Sequence, residues 1–252
     1  MKARTLRGGR WAQRLLDSLS APADLRQWMT DNTRILKRNE TSLVGLLRLD
    51  GELNYLKLYQ SKSALQSLAF GLGKGRAVHS FDVSRELFDR GLPVPEPRAC
   101  VKLGNQQLLL KQGLEGSQDL NQRWLDGMDD GEQRHWMQRC GDALGRLHDQ
   151  GFAHGDAKWT NLLCQSNRLW LVDLDGVGRA GASARMRDLA RFTLNAEDRE
   201  LDPEYYDLFL AHYIEQTGDD RDALLRGLVF PLKKLRARHV KQYGKRGRRL
   251  VN

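Results

Sequence analysis

The alternation of hydrophobic and polar residues changes near residue 112 from a two-residue period to a helical one. Before that point, TSLVGLLRLDGELNYLKLYQ and VKLGNQQLLLK each predict two strands joined by a tight Asp-Gly or Gly-Asn turn. Between these hairpins, SFDVSRELFDRG has helical spacing, with Val83 and Leu87 on one face. Residues 1–112 are therefore predicted to form an N-terminal lobe, a small antiparallel sheet with one helix, preceded by an extra helical segment at residues 1–36.

After residue 112 the pattern is mainly helical. EQRHWMQRCGDALGRLHDQG predicts a long helix that ends at Gly151. Its apolar residues with helical spacing are Trp136, Met137, Cys140, Leu144 and Leu147. The short apolar runs NLLC and RLWLV then flank the turn QSNR and predict a hairpin, and Tyr205 to Ile214 predicts a later helix. Residues 113–252 are expected to form a helical catalytic lobe with a basic tail at 233–252, so that the whole chain is an α+β, bilobal, protein-kinase-like fold.

The stretch HGDAKWTN follows the long predicted helix and carries the clearest chemistry. His154, Asp156 and Asn161 have the H-x-D-x-x-x-x-N spacing of a phosphotransferase catalytic loop. Phosphoryl transfer to a hydroxyl needs a carboxylate that accepts the proton, and Asp156 is the candidate base. Magnesium prefers oxygen ligands, which the side chain of Asn161 and, twelve residues further on, Asp173 in LVDLDG offer.

Two lysines are candidates for neutralising phosphate charge. Lys57 in YLKLY lies on a predicted strand, where it suits nucleotide phosphates, although an ordinary exposed strand lysine gives the same pattern. Lys158, two residues after Asp156, is placed to neutralise the transferred phosphoryl group, or is simply a loop lysine. GLGKGR does not predict a phosphate loop, because it follows the Lys57 strand and lacks Lys-Ser/Thr after its last glycine.

Composition and charge narrow the function classes. No uncharged apolar run approaches the roughly 18 residues of a membrane helix, and the N-terminus lacks a secretory signal, so we expect a cytoplasmic protein. Cys100, Cys140 and Cys164 have no metal-like spacing and predict buried free thiols. Residues 233–249 contain nine basic residues and no acid, which leaves the body neutral and argues against a dedicated nucleic-acid binder.

These residues resemble the lipopolysaccharide core kinases of Gram-negative bacteria, the group that includes heptose and 3-deoxy-manno-octulosonic acid (Kdo) kinases. The resemblance runs from about residue 42 to residue 190. It rests on YLKLY, GLPVPEP, LLLKQGLEG, LGRLHDQGFAHGDAKWTNLL, LVDLDGVG and MRDLARF. It implies ATP and Mg²⁺ as cofactors and the lipopolysaccharide core glycolipid as substrate.

The resemblance also implies further site residues. Lys111, Gly113 and Leu114 would belong to the hinge that meets adenine through backbone groups. Asp188 would be a buried aspartate that braces the catalytic loop, with a helix-surface charge as the alternative. Where the family motif is Asp-Phe-Gly, this chain has Asp173-Leu174-Asp175, so the glycine at the third place is absent and protein-kinase-like switching of that loop is not expected.

The acidic partner of Lys57 stays open at this stage. Asp82 and Glu86 lie four residues apart on one predicted helical face, and either side chain has the required charge. The segment KRNETSLVG, which should cover the phosphates, contains only Gly45, so any phosphate cradle there is non-standard.

The leading prediction is an ATP- and Mg²⁺-dependent kinase that phosphorylates a heptose or Kdo hydroxyl at the cytoplasmic face of the inner membrane. Leu232, Leu235 and Val240 are expected along one side of a basic helix that would contact an anionic membrane surface. A kinase of an aminoglycoside-like small molecule, using the acids around Asp126 to Asp130, or of a protein is the first alternative. A catalytically silent kinase-like binding module is the second. The oligomeric state is left open.

Overall fold

The computed structural model describes residues 3–19, 24–61, 70, 74–244 and 248–251. The chain forms two compact units, Met1–Glu115 and Gly116–Asn252. Sequence patterning placed the boundary after residue 112. The segment GLGKGR, residues 71–76, lies partly outside the described residues, at 71–73.

The first unit contains a six-stranded antiparallel sheet in the order β1-β5-β6-β4-β3-β2. Its strands are β1 (Ala3–Arg7), β2 (Arg34–Arg38), β3 (Ser42–Leu49), β4 (Glu52–Gln60), β5 (Pro97–Leu103) and β6 (Gln106–Gln112). The four predicted strands are confirmed. Residues 1–36 contain helices, as predicted, but the prediction missed β1 and β2, which form the two edges of the sheet. Both are short and rich in arginine, as protected edge strands are, and therefore lack the alternation of a buried strand.

Helices pack on the sheet of the first unit through apolar side chains. They are α1 (Gly9–Leu19), α2 (Leu25–Asn32) and α3 (Arg76–Asp89). Leu15 and Met29, from α1 and α2, share a fully buried cluster with Leu56 and Leu110 of the sheet. Phe81 of α3 belongs to a different cluster that includes Leu109. Since Leu109 and Leu110 are neighbours on one strand and point to opposite faces, the sheet has a helical layer on each face.

The second unit is mainly helical. Its helices are α4 (Leu120–Leu125), α5 (Asp130–Asp149), α6 (Ala182–Asp198), α7 (Pro203–Thr217) and α8 (Arg221–Tyr243). The strands are β7 (Gln118–Asp119), β8 (Phe152–Ala153), β9 (Leu162–Gln165), β10 (Arg168–Leu171) and β11 (Gly178–Arg179). They pair as β10-β9-β7 and β11-β8. The predicted long helix, the NLLC/RLWLV hairpin and the helix after Pro203 are all confirmed.

The packing of α5 follows the predicted pattern. Asp129 caps its N-terminus by accepting a hydrogen bond from the backbone N–H of Glu132 at 2.8 Å. All of its predicted apolar residues are buried, and Cys140 is a buried free thiol, as are Cys100 and Cys164. Among the described residues, no helix is long and apolar enough to cross a membrane.

The predicted apolar side of the basic helix α8 is wrong. Leu232 is fully buried, Leu235 is partly buried, and Val240 is 45% exposed, so these residues do not share an outward face. The exposed apolar residues are instead Val229 and Phe230 together with Val240. In a helix that packs on a core, apolar side chains turn inward, as Leu232 does.

Candidate active site

The candidate catalytic loop lies between β8 and β9 in the second unit. Gly155 has φ +80°, and a β-carbon at this position would overlap the carbonyl oxygen of Gly176 and lie 3.0 Å from its carbonyl carbon. The N–H of Val172 donates to the carbonyl of Asn161 at 3.0 Å. The HGDAKWTN loop and the LVDLDG loop are therefore held against each other by backbone contacts at both ends, which only glycine permits at position 155.

Asp156 stands in the centre of this loop with a half-exposed side chain. Its Oδ2 accepts a hydrogen bond from the amide nitrogen of Asn161 at 3.1 Å and pairs with Lys158 Nζ at 2.8 Å. Its Oδ1 lies 3.6 Å from Nε of Arg191. The predicted base, the predicted metal ligand Asn161 and the predicted catalytic lysine are thus in direct contact.

Asn161 and Asp173 are the predicted metal ligands. Asn161 is buried, and its amide nitrogen donates to both the backbone and the side chain of Asp156. That orientation leaves the carboxamide oxygen as the ligand atom. Asp173 is exposed and adopts a left-handed backbone, φ 57° and ψ 53°, immediately before a 3₁₀ turn at Leu174–Gly176. A non-glycine residue in this region is strained, and such strain is common at functional sites.

Asp188, on α6, braces the catalytic loop as predicted. Its fully buried carboxylate accepts hydrogen bonds from the backbone N–H groups of His154 at 2.6 Å and Gly155 at 2.9 Å. A third donor is Nε2 of His148 at 3.3 Å. A buried carboxylate with three donors is satisfied, and its geometry fixes the backbone two residues before the candidate base.

Two further residues of α6 contact the same loop, and sequence reasoning missed both. Arg191 lies beside Asp156, and Asn195 accepts a hydrogen bond from the N–H of Trp159 at 2.8 Å. Asp188, Arg191 and Asn195 are spaced three and four residues apart, so one face of a single helix holds the loop at three points. That spacing was visible in the sequence once Asp188 had been assigned to a helix.

Behind Asp188, a chain of buried hydrogen bonds determines which ring nitrogen of His148 carries the proton. Because a carboxylate only accepts, the Nε2 of His148 carries the proton and its Nδ1 accepts from the hydroxyl of Tyr213 at 2.8 Å. Tyr213 in turn accepts from Arg185 at 3.1 Å, and Arg185 pairs with Asp219. Burial lowers the pKa of His148 below its ordinary value despite Asp188, which keeps the ring neutral.

In the first unit, the two predicted acidic partners of Lys57 have different surroundings. Both carboxylate oxygens of Asp82 accept hydrogen bonds from Arg7 of β1, at 2.7 and 2.9 Å. Glu86 pairs with Arg90 one helical turn later, at 2.8 Å. Lys57 is on β4, with its Nζ 5.1 Å from the ring centroid of Tyr59. Both acids therefore have an arginine partner, and the bidentate pair engages both oxygens of Asp82.

The predicted hinge residues lie at the end of β6, where Lys111 is, and directly after it, where Gly113 and Leu114 are. Lys111 pairs with Tyr55 on one side and Pro97 on the other, and its buried Nζ donates to Ser84 Oγ at 2.7 Å. The N–H of Gly113 donates to the carbonyl of Leu53 at 2.9 Å. Within this segment, the side chain of Lys111 thus has a structural role, and the N–H of Gly113 is engaged within the sheet.

The segment predicted to cover the phosphates is the hairpin between β2 and β3. Oδ1 of Asn39 accepts hydrogen bonds from the N–H of Thr41 at 3.1 Å and from the N–H of Ser42 at 2.7 Å. These are the backbone donors that a phosphate-binding loop would present to its ligand. The hairpin is therefore closed by a side chain, in keeping with the non-standard cradle expected from its composition.

Comparison with known proteins decides the family. The profile of the "Lipopolysaccharide kinase (Kdo/WaaP) family" matches residues 26–213, well over half of the chain and including every predicted site residue. The chain belongs to this family. The resemblance stated from the sequence motifs is confirmed, and the matched region includes α6 with Asp188, Arg191 and Asn195.

Curated relatives of the family match a shorter region. The 3-deoxy-D-manno-octulosonic acid kinase of Xylella fastidiosa (strain 9a5c) is 37% identical over 123 residues, which is 46% of this chain and 48% of the relative. That of Xanthomonas campestris pv. campestris (strain B100) is 35% identical over 133 residues, 50% and 52% of the two chains. The chain spans about half the length of the curated relatives it matches.

A solved structure shows the fold. "WaaP in complex with acyl carrier protein" contains a chain that superimposes with a TM-score of 0.61 at 17% identity, over 96% of this chain and 100% of that one. The predicted kinase-like α+β fold, with an antiparallel-sheet part and a helical part, is confirmed. At this level of identity the likeness concerns the fold alone.

Proposed function

We propose that this member of the Kdo/WaaP family is an ATP- and Mg²⁺-dependent kinase that phosphorylates a sugar hydroxyl of the lipopolysaccharide inner core. The observation that carries the proposal is the contact between Asp156 and Asn161 in a loop held against the loop that contains Asp173. Base, amide ligand and carboxylate ligand are the minimum set for phosphoryl transfer to an alcohol. Family membership supports a sugar of the core as the acceptor.

Asp156 acts as the base in the proposed reaction. The acceptor hydroxyl hydrogen-bonds to its carboxylate and attacks the γ-phosphorus of ATP in line with the bond to the β-phosphate. The new O–P bond forms as the bond to the leaving oxygen breaks, the hydroxyl proton passes to Asp156, and ADP leaves. Lys158, which pairs with Asp156 in the structure, turns to the transferring phosphoryl group and neutralises its charge.

The donor set at the loop fits magnesium. Within the described residues there is no group of three or more His, Cys, Asp or Glu that could hold a metal ion. Magnesium is usually held by one or two protein oxygens together with substrate phosphates. Asn161 and Asp173 would supply those oxygens, and the ion would neutralise phosphate charge during transfer.

Residues of the first unit are assigned to the nucleotide. Lys57 is proposed to pair with the phosphates, with Glu86 as the acid that orients it. Lys111, Gly113 and Leu114 are proposed as the segment that meets adenine. Because the N–H of Gly113 already donates to Leu53, we assign the adenine contacts to the remaining backbone groups near the end of this segment.

The site of action is proposed to be the cytoplasmic face of the inner membrane, where ATP and a lipid-linked acceptor meet. The outward face of α8 combines apolar and basic side chains, and its one acid, Asp222, lies in the first turn. After the first turn, its exposed residues include Arg226, Val229, Phe230, Lys233, Lys234, Ala237, Val240 and Lys241. Phe230 is 65% exposed, and Lys234 Nζ lies 4.4 Å from its ring centroid. A basic helix with exposed aromatic and aliphatic groups is suited to an anionic lipid surface.

Vesicle binding tests this surface. The wild-type protein should sediment with vesicles that contain phosphatidylglycerol and not with pure phosphatidylcholine vesicles. Phe230→Ser should weaken the binding, whereas Leu125→Ser, which removes a 55% exposed leucine elsewhere in the second unit, should leave it unchanged. Equal binding by both variants would remove α8 from the membrane contact.

The acids expected to serve an aminoglycoside-like acceptor have other partners. Asp126 accepts hydrogen bonds from Gln118 and Gln122, and Asp130 accepts from Tyr205 and Arg134. Asp129 caps α5. These contacts hold helix ends in place, and they give the small-molecule alternative no support.

Substrate profiling tests the proposed function. Transfer of labelled γ-phosphate from MgATP is measured with dephosphorylated lipopolysaccharide core, an aminoglycoside and a general protein substrate as acceptors. The proposal predicts label in the core sugar alone. Label in either of the other acceptors, with none in the core, would replace the substrate, and no transfer together with no nucleotide binding would favour a silent module.

A further inference from the structure

Arg191 is a cation of the candidate site, and the proposed mechanism gives it no role. Its Nε lies 3.6 Å from Oδ1 of Asp156, and its Nη1 donates to the carbonyl of Arg187 at 3.3 Å. In the described part of the chain, Nη2 has no hydrogen-bond partner. The guanidinium therefore stands beside the base with donors available for a ligand.

The position of Arg191 is fixed by its neighbours on α6. Asp188, one turn before it, is bonded to the loop at His154 and Gly155, and Asn195, one turn after it, is bonded to Trp159. Only 31% of the side chain of Arg191 is exposed. A planar guanidinium held in this way loses little conformational freedom when it binds an anion, which suits a recognition role.

The charges around Asp156 do not balance. One carboxylate faces two cations, Lys158 at Oδ2 and Arg191 near Oδ1. The mechanism uses Lys158 for the transferring phosphoryl group. The positive charge of Arg191 then remains on the other side of the base, where an anionic group of the acceptor would neutralise it.

We infer that Arg191 binds the carboxylate of an acidic acceptor sugar, and so makes the site selective for an ulosonic acid over a neutral sugar such as heptose. This inference rests on the proposed function. The acceptor hydroxyl must hydrogen-bond to Asp156 before transfer. In an acidic sugar, the carboxylate and that hydroxyl are carried by the same ring, so the carboxylate also lies near Asp156. Of the two cations beside the base, Arg191 is the one that the transferring phosphoryl group does not use, and its fork matches the geometry of a carboxylate.

Steady-state kinetics with two matched acceptors test the inference. The first is a glycolipid whose terminal sugar is 3-deoxy-D-manno-octulosonic acid, and the second is the same glycolipid with the carboxylate converted to a neutral carboxamide. The variants are Arg191→Met, Arg191→Lys and the control Arg187→Met, which removes an exposed arginine one turn earlier on α6. The KM for acceptor, the KM for ATP and kcat are measured for each.

The wild type and Arg187→Met should prefer the acid, with a KM for the carboxamide roughly 10- to 100-fold higher. Arg191→Met should raise the KM for the acid by a similar factor, leave the KM for ATP unchanged and no longer distinguish the two acceptors. Arg191→Lys, which keeps the charge without the fork, should recover part of the preference.

Other outcomes would overturn the inference. Equal use of both acceptors by the wild type would overturn the inference. That result needs no variant, so it does not depend on whether the variants fold. An equal rise in KM for both acceptors, or a rise confined to ATP, would assign Arg191 to the γ-phosphate or to the loop. If no protein transfers phosphate to either acceptor, the proposed function itself fails, a result distinguishable from a loss of selectivity.

Discussion

Gly155 and Gly176 are in backbone contact, which places the loop of the candidate base against the loop of the candidate metal ligand Asp173. The contact leaves no room for a β-carbon at position 155. Gly151, four residues earlier, has nearly the same φ, +79° against +80°, but a β-carbon there would meet nothing within 4 Å. The two glycines separate the effect of backbone strain from the effect of the loop contact.

Replacing each glycine by alanine in turn measures these two effects separately. Gly151→Ala should cost about 1 kcal/mol of unfolding free energy, the usual cost of a left-handed alanine, and retain kinase activity. Gly155→Ala should carry the same strain and in addition push the two loops apart, so that activity falls roughly 100-fold or more. Chemical denaturation and turnover measure the two effects. Equal activities in the two variants would contradict the importance of the contact.

Asp188→Asn should destabilise the second unit. The new amide presents N–H donors to the backbone donors of His154 and Gly155 and leaves a buried hydrogen bond unmade. We expect a loss of about 3 kcal/mol in denaturant unfolding. Asp207→Asn, which breaks an exposed ion pair with Arg221, is the control and should change stability by less than about 0.5 kcal/mol. Similar losses in both variants would show that Asp188 is not a brace.

The lowered pKa of His148 predicts a dependence of stability on pH. Because burial lowers its pKa in the folded state, the unfolded chain binds a proton that the folded chain does not. Stability is therefore greatest above the unfolded pKa of about 6.5 and falls as the pH decreases below it. Unfolding free energies measured between pH 7 and 5.5 should fall, and the slope should be smaller in His148→Gln. An unchanged slope in that variant would assign the titration to another group.

Glu86→Gln and Asp82→Asn test the assignment of the Lys57 partner. If Glu86 orients Lys57, its replacement should reduce kcat/KM for ATP roughly tenfold or more. Asp82→Asn breaks only the partly exposed pair with Arg7 and should leave kcat/KM for ATP within about twofold. The reverse result would make Asp82 the partner.

Sequence patterning predicted the elements whose residues alternate or repeat clearly. The central hairpins and the helix that buries Trp136 and Leu147 were of this kind. The edge strands β1 and β2 were missed because a strand with one paired side and an arginine-rich surface has no buried face along its full length. Their pairing with β5 and β3 is a tertiary choice that local propensity does not encode.

The sequence predicted the site residues that belong to a motif and missed those that only the fold brings to the site. Asp156, Asn161 and Asp173 follow one another at fixed spacings, and the first two are in contact in the structure. Arg191 and Asn195 carry no motif of their own. They matter because α6 turns them toward the loop, and that orientation follows from the burial of Asp188, which the sequence only suggested.

The most direct test of the account is the turnover of Asp156→Asn. This variant keeps the size of the side chain and one acceptor oxygen but cannot accept a proton. We predict that phosphoryl transfer to the core sugar falls by roughly 10²- to 10⁴-fold, while the dissociation constant for MgATP stays within a few-fold of the wild-type value. Turnover within tenfold of the wild type would contradict the assignment of Asp156 as the base.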